Sequence, residues 1–417
     1  MPTKGILHTG TSANLIKPST GYGFKKMHAF AQVVCERVIN NELKGFNKIS
    51  IDTKNRFKFY DKLLLLILLY WPSKGKLIFT RLFEKHSVLT VFSFLDEKST
   101  FGQELKIFAS LPIFPFLKAL YLNFKRENYL RYVYAFLIVL SYSLLSTLNY
   151  ELADYFSYIV LFIGLLLIGI PHGALDHLLL KSKNSSLFLF VLKYLFLVVL
   201  YYTVWQFFPL IALIIFIIYS SFHFGESEII ESKSKIDSIF AYFKSFLLGL
   251  SILFFIIFTH KEESLSIISK LLGNSELKSA EMNYPSLFLF TAILSLIFIF
   301  FQGFLSKNKS YFGLLFLLIL GLKVPLILAF SLYFIFQHSS NAWQHLKLGL
   351  NLNSNELYKK SSIYTLGSLV VFILFFLNKN DIITNNKLIS IFFIFIACIS
   401  FPHFILMHIF YKNSQQK

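Results

Sequence analysis

Between Tyr132 and Tyr411 the chain runs again and again through apolar stretches about as long as a bilayer is thick, a pattern that a soluble domain has no use for. The hydrocarbon core measures about 30 Å, so a spanning helix needs roughly 20 mostly apolar residues. Stretches of this kind fall near 132–148, 155–171, 187–202, 207–222, 239–258, 287–305, 311–337, 363–377 and 389–411. Allowing for ambiguous splits, they amount to roughly eight to ten spans. In lipid each backbone N–H and C=O must find its partner inside the protein. The fold class expected is therefore an all-α polytopic membrane bundle, and the 51 phenylalanines and 55% apolar content agree with it.

The part before the spans has a different character. Residues 1–125 carry Pro and Gly punctuation at Pro18, Gly21, Gly23, Pro72, Pro112 and Pro115, and their longest apolar run, Leu63–Trp71, is too short to span. A small, mostly helical region, globular or lying on the membrane surface, is expected there. Up to Leu130 there are 20 Lys and Arg against 9 Asp and Glu, so much of the net charge of +18 sits in this part. No basic stripe with interleaved aromatics or nucleic-acid motif accompanies it, so anionic lipid rather than nucleic acid is the expected partner. Residues 1–26 lack the apolar core of a cleavable signal peptide, which leaves the first span as the insertion signal. Cys35 and Cys398 are too few and too far apart for a thiolate metal framework and are expected to be buried small residues. A polar tail, 412–417, closes the chain.

Eleven histidines occur, and seven lie within or at the ends of the apolar stretches: His172, His177, His223, His338, His345, His403 and His408. An ionisable group at membrane depth costs a few kcal/mol, so such residues face a bundle interior and serve a pathway, a relay or a metal. For a single histidine, one interhelical hydrogen bond is an equally good account. Several together favour a shared site. In Gly169-Ile-Pro-His172-Gly-Ala-Leu-Asp176-His177 a Pro and a Gly flank the first histidine, an interruption tolerated only where backbone is buried or lines a cavity. His172 and His177 lie about 140° apart on a regular helix, so His172 is the candidate, and Asp176 is a carboxylate able to fix a ring tautomer. Ser221-Phe-His223-Phe-Gly-Glu226-Ser-Glu228 sets acidic groups just past a histidine. In Phe334-Ile-Phe-Gln-His338-Ser-Ser-Asn-Ala-Trp-Gln-His345 the two histidines share a face, about 10.5 Å apart along the axis. Phe401-Pro-His403-Phe-Ile-Leu-Met-His408 repeats the Pro-His pairing and makes His403 a rival to His345.

His172 and His223 are two spans apart and so end on one membrane side. An unbroken 311–337 helix would carry His338 to the other. A break at Gly321-Leu-Lys323-Val-Pro325 is therefore expected. Neutral imidazoles without thiolates suit iron or zinc. Four of them would leave an octahedral iron two positions for O2 and substrate, with the bilayer as a reservoir of apolar substrate, whereas zinc would favour hydrolysis of something polar.

The strings Gly169-Ile-Pro-His-Gly-Ala-Leu-Asp176, His223-Phe-Gly225, Phe336-Gln-His338-Ser339 and Pro402-His403-Phe-Ile-Leu406 resemble, in order, the signatures of the bacterial Brp/Blh family of membrane β-carotene dioxygenases. The resemblance implies Fe(2+), O2 as co-substrate and cleavage of the central double bond of β-carotene into two retinals, in the cell inner membrane. It implies His172, His223 and His338 as iron ligands. The family has a further histidine four residues after the one matching His338, where this chain has Ala342, so His345 is taken as the fourth metal ligand with His403 as its rival. Glu228 stands where the family has Asp and, with Asp176, is a candidate to support the ligands. A retinal-binding rhodopsin and a separate cyclase chain are the partners this implies.

Residues 1–125 resemble instead the C-terminal part of flavin-dependent lycopene β-cyclases, through Lys17-Pro-Ser-Thr-Gly-Tyr-Gly-Phe24, Phe57-Lys-Phe-Tyr-Asp61 and Phe94-Leu-Asp-Glu-Lys-Ser-Thr100. The dinucleotide fold that precedes these motifs in that family is missing, so the fragment is expected to hold no flavin alone. Two other readings of the histidines compete with the enzyme: a bis-histidine haem protein, and a proton-coupled transporter whose inverted repeat is not apparent.

Overall fold

The computed structural model describes residues 8–13, 15–40, 54–126, 128–179, 186–232, 238–273, 285–306, 308–377 and 385–414. Among them every regular element is helical. The expected loop 181–186 lies outside the described residues up to position 185, as do the last three residues of the polar tail. The chain divides into two units, Met1–Leu130 and Arg131–Lys417.

The first unit holds α1 (Phe24–Ile39), α2 (Asn55–Tyr70), α3 (Pro72–Lys85), α4 (Val88–Leu95), α5 (Phe101–Ser110) and α6 (Ile113–Arg126). Its helix starts follow local chemistry. Pro72 opens α3, where its missing N–H costs nothing. Ser87 caps α4, and Thr100 with Gln103 forms a capping box on α5. The short apolar run from Leu63 forms part of α2, and Leu66 and Ile67 pack with Ile78, Val91, Ile107 and Ala119 into one core. The Lys17–Phe24 segment turns at Gly21, whose φ of 71° suits glycine. Its buried Lys17 is held by Asp61 at 3.2 Å and Glu97 at 3.5 Å. Cys35, expected to be buried, is exposed on α1, because the small core of this unit does not reach that face; Cys398 is buried.

The second unit begins with α7 (Leu130–Leu148) and α8 (Tyr150–Gly164), which passes through a π-helical turn, Leu165–Gly169, into the short α9 (Ile170–Gly173). Then come α10 (Leu187–Phe207), α11 (Pro209–Glu231), α12 (Ile239–Thr259), α13 (Lys261–Leu271), α14 (Pro285–Ser306) and α15 (Lys309–Gly321). A turn at 322–325 leads into α16 (Leu326–Tyr333), a second π turn, Phe334–Ser339, and α17 (Ser340–Leu350); α18 (Ser354–Leu377) and α19 (Asn385–Ser414) complete the unit. Seven described helices are long and apolar enough to cross a membrane, or eight if the bent α5–α6 pair, angled at 111°, forms one span. The protein is a multi-pass membrane bundle. Seven is just below the expected eight to ten and eight is at its low end; the 311–337 stretch is divided where the sequence placed the break, into helices of 13 and 8 residues too short to count, with Pro325 as the cap of α16.

Two packing devices set the position of the site. Ser221 and Gly225 on α11 meet Ser245 and Gly249 on α12 backbone to backbone: a Cβ on Gly225 would overlap the Ser245 carbonyl oxygen, and one on Gly249 that of Ser221. This is small-residue packing of the kind membrane helices use where apolar burial gives little net drive. It fixes the turn of α11 that bears His223. The two π turns also face each other, since Gly164 leaves room for the Ile335 side chain and Gly169 lies against Phe334. π turns inside α-helices recur at functional sites, because the extra residue redirects the side chains beside it. One immediately precedes the helix turn of His172, and the other contains His338.

Candidate metal centre

Four imidazoles meet in the interior. Ring centroids are 5.7 Å apart for His172 and His338, 4.8 Å for His338 and His223, 5.2 Å for His223 and His403, and 5.0 Å for His403 and His172, which closes a ring of four. All four residues are at most 6% exposed. They come from α9, α11, the second π turn and α19. His403 follows Pro402 inside α19.

Their hydrogen bonds leave ring nitrogens to spare. The Nδ1 atom of His172 lies 3.0 Å from the Ile168 carbonyl oxygen, to which only a protonated nitrogen can donate, so Nε2 keeps its lone pair. His403 Nδ1 lies 2.8 and 3.1 Å from the two carboxylate oxygens of Asp176, which fixes the same tautomer. His403 Nε2, both nitrogens of His223 and Nδ1 of His338 are buried without any hydrogen-bond partner. Each such atom costs roughly 1–3 kcal/mol if nothing meets it. Bare nitrogens on three adjoining rings, with the free Nε2 of His172, ask for a common partner.

The spacing suits an ion. An imidazole nitrogen about 2.0–2.1 Å from a metal puts its ring centroid roughly 3.2 Å away, so two rings at 90–110° around one ion stand about 4.5–5.2 Å apart. Three of the four neighbouring distances lie in that range, and the fourth, at 5.7 Å, is slightly longer. Among the described residues no three His, Cys, Asp or Glu groups are already set around one metal position. The fit therefore rests on ring spacing and unpartnered nitrogens, with a small reorientation of rings on loading.

The tetrad forms part of the wall of a cavity of about 590 Å³. The rest of the wall is almost wholly apolar or aromatic, with Phe190, Tyr194, Val198, Phe216, Phe334 and Ile394 among its residues. Cavities of this size take drug-sized ligands, and this one offers an apolar molecule few hydrogen-bonding groups other than the imidazoles.

The other sequence candidates go elsewhere. His345 bonds Tyr411 through Nδ1 and Glu231 through Nε2, both at 3.0 Å, so neither of its nitrogens is spare. His177 bonds the Ala174 carbonyl and packs 4.4 Å from Tyr364, the rings tilted by 36°, at the cavity wall. His408 pairs with Glu226 at 2.8 Å. Glu228 accepts from Gln337 Nε2 at 2.8 Å rather than from an imidazole, and Gln337 Oε1 in turn accepts from Tyr132. Arg131 donates to Tyr132 and to Asn341, completing a buried polar chain beside the π turn of His338. Sequence reading missed this chain, although a buried arginine at the start of an apolar stretch was the available signal.

A multi-pass helical bundle that walls an apolar cavity with four buried imidazoles defines a membrane enzyme of the polyhistidine kind. Residues 163–411 match the family model described as Beta-carotene 15,15'-dioxygenase, and the chain belongs to that family of carotenoid-cleaving dioxygenases. The curated Beta-carotene 15,15'-dioxygenase of Uncultured marine bacterium 66A03 is 27% identical over 263 residues, covering 59% of this chain and 90% of the relative. No solved structure matches.

Proposed function

We propose that the protein cleaves β-carotene at its central double bond, with O2, into two molecules of retinal, at an iron ion held by His172, His223, His338 and His403. The observation that carries this reading is the closed ring of four buried imidazoles with unpartnered nitrogens at the wall of a large apolar cavity. An Fe(2+) ion bound there would supply the one-electron chemistry that lets O2 react with a polyene. The substrate gains one oxygen atom at each of the two carbons that part, so no proton need be delivered or removed overall.

The chain's own groups bind and orient. Apolar side chains from α10, α11, α16 and α19 surround the polyene and exclude water, so its reactive stretch lies beside the imidazoles. Asp176 and the Ile168 carbonyl hold protons on the Nδ1 atoms of His403 and His172, directing their Nε2 lone pairs to the metal. Neutral imidazoles on all four sides leave the ion its full charge. A haem reading is disfavoured by the edge-to-face contact of the four rings, which leaves no slab for a macrocycle between them.

We assign residues 1–125 as a region like the C-terminal part of a lycopene cyclase, 130–411 as the dioxygenase domain, and the inner membrane as the location. A separate cyclase chain would supply the substrate, and a retinal-binding rhodopsin would take the product. Expression in a β-carotene-accumulating bacterium tests the activity: the cells should lose colour and form retinal, whereas unchanged pigment with verified membrane insertion would count against it.

A further inference from the structure

The helices that carry His223, His338 and His403 each bear further polar groups one to two turns beyond the histidine. On α11 these are Glu226, Glu228 and Glu231; on α17, His345; on α19, His408 and Tyr411. They join across the helices: His345 meets Glu231 and Tyr411 at 3.0 Å each, and His408 meets Glu226 at 2.8 Å. Because both the histidines and these groups meet level with one another, the three helices run in one direction here. The His345, Glu231 and Tyr411 contacts therefore lie about 10–12 Å from the tetrad and the His408–Glu226 contact about 4–8 Å, at 1.5 Å per residue, and together they form a second tier.

This tier is open at one end and unsatisfied at the other. The side chains of Glu231 and His408 are 29% and 31% exposed. Further in, Glu226 and Glu228 are at most 2% exposed. Glu226 Oε2 and Glu228 Oε1 are buried there with no partner. Each carboxylate thus has one oxygen bonded and one bare, and a bare buried acceptor costs roughly 1–3 kcal/mol unless something meets it. A dication has no passage through the apolar cavity, because leaving water without new ligands costs tens of kcal/mol in a medium of low dielectric. Carboxylate oxygens and imidazoles replace water one ligand at a time.

We propose that this tier is the loading route of the metal centre: a hydrated divalent cation is taken up at Glu231 and His408 and passed by Glu226 and Glu228 to the tetrad. The inference rests on the tetrad being a metal site, and the test separates the two. The full chain in detergent is stripped with a chelator and mixed with Co2+, and the metal retained after rapid desalting is followed over time. The Glu231→Gln variant and the Glu226→Gln/Glu231→Gln double variant should load about tenfold more slowly, the scale of lost electrostatic attraction, and reach the wild-type stoichiometry. Loading at the wild-type rate overturns the route alone. A lower final stoichiometry also overturns it, by making a carboxylate a resident ligand. A wild-type chain that retains no metal overturns the tetrad reading and the route with it. Should the double variant fail to fold, the Glu231→Gln variant, at a side chain only partly buried, decides by the same rate.

Discussion

Replacing Asp176 with Asn tests how the fourth imidazole is held. The carboxylate is 2% exposed and lies 2.8 and 3.1 Å from His403 Nδ1, with the Tyr194 hydroxyl 3.3 Å from its second oxygen. Asn keeps the volume and one acceptor, so the packing survives and His403 can stay protonated on Nδ1, but the charge that makes the ring a stronger donor to metal is gone. Carboxylates that orient metal-bound histidines are worth about 10–100-fold in affinity or activity, which is roughly 1.4–2.8 kcal/mol. Competition against a chelator of known affinity, on purified chain with unchanged thermal unfolding, reads this directly. The retinal-forming rate at limiting iron should fall in step. Asp176→Asn binding iron within twofold of wild type would refute the argument that Asp176 positions a ligand.

His403→Ala should lose metal retention at equilibrium, whereas His345→Ala should keep wild-type stoichiometry, since both His345 nitrogens are already engaged; metal analysis after exhaustive desalting distinguishes them. Gly225→Ala drives a Cβ into the Ser245 carbonyl oxygen and should destabilise the α11–α12 contact by about 3 kcal/mol, the upper end of overpacking costs, seen as a lowered unfolding midpoint in detergent. Gly367 on α18 lines the cavity and has nothing within 4 Å of a built Cβ, so Gly367→Phe should fold normally and yet raise KM for β-carotene by about tenfold or more by occupying space the polyene needs; an unchanged KM would place the substrate elsewhere.

Much of the bundle was legible because lipid imposes a length and a composition on every span. The division at 321–325 was legible too, since the membrane side of His338 demanded it and Pro325 supplied the means. His172 stood out as an ionisable group beside an interrupted helix, and His223 and His338 stood out through the motifs shared with the Brp/Blh family. The choice between His345 and His403 was not, because it depends on partners remote in sequence: Asp176 bonds His403 across 227 residues, and Glu231 bonds His345 across 114. Spacing along one helix put His345 on the face of His338, but its 10.5 Å axial distance carries it to the outer tier. The π turns left no sequence signature, since an extra residue per turn is a product of packing. The Ser221/Gly225 and Ser245/Gly249 pairs did leave one, small residues four apart on two apolar helices, and it went unread.

The central claim is that four imidazoles hold one iron that cleaves the polyene. Stepwise addition of Fe(2+) to stripped, purified protein, with β-carotene in the detergent and air present, tests it most directly. Retinal formation should rise in proportion to bound iron and saturate at one ion per chain, with two retinals for each β-carotene consumed. Full retinal formation before any iron is added would contradict the account.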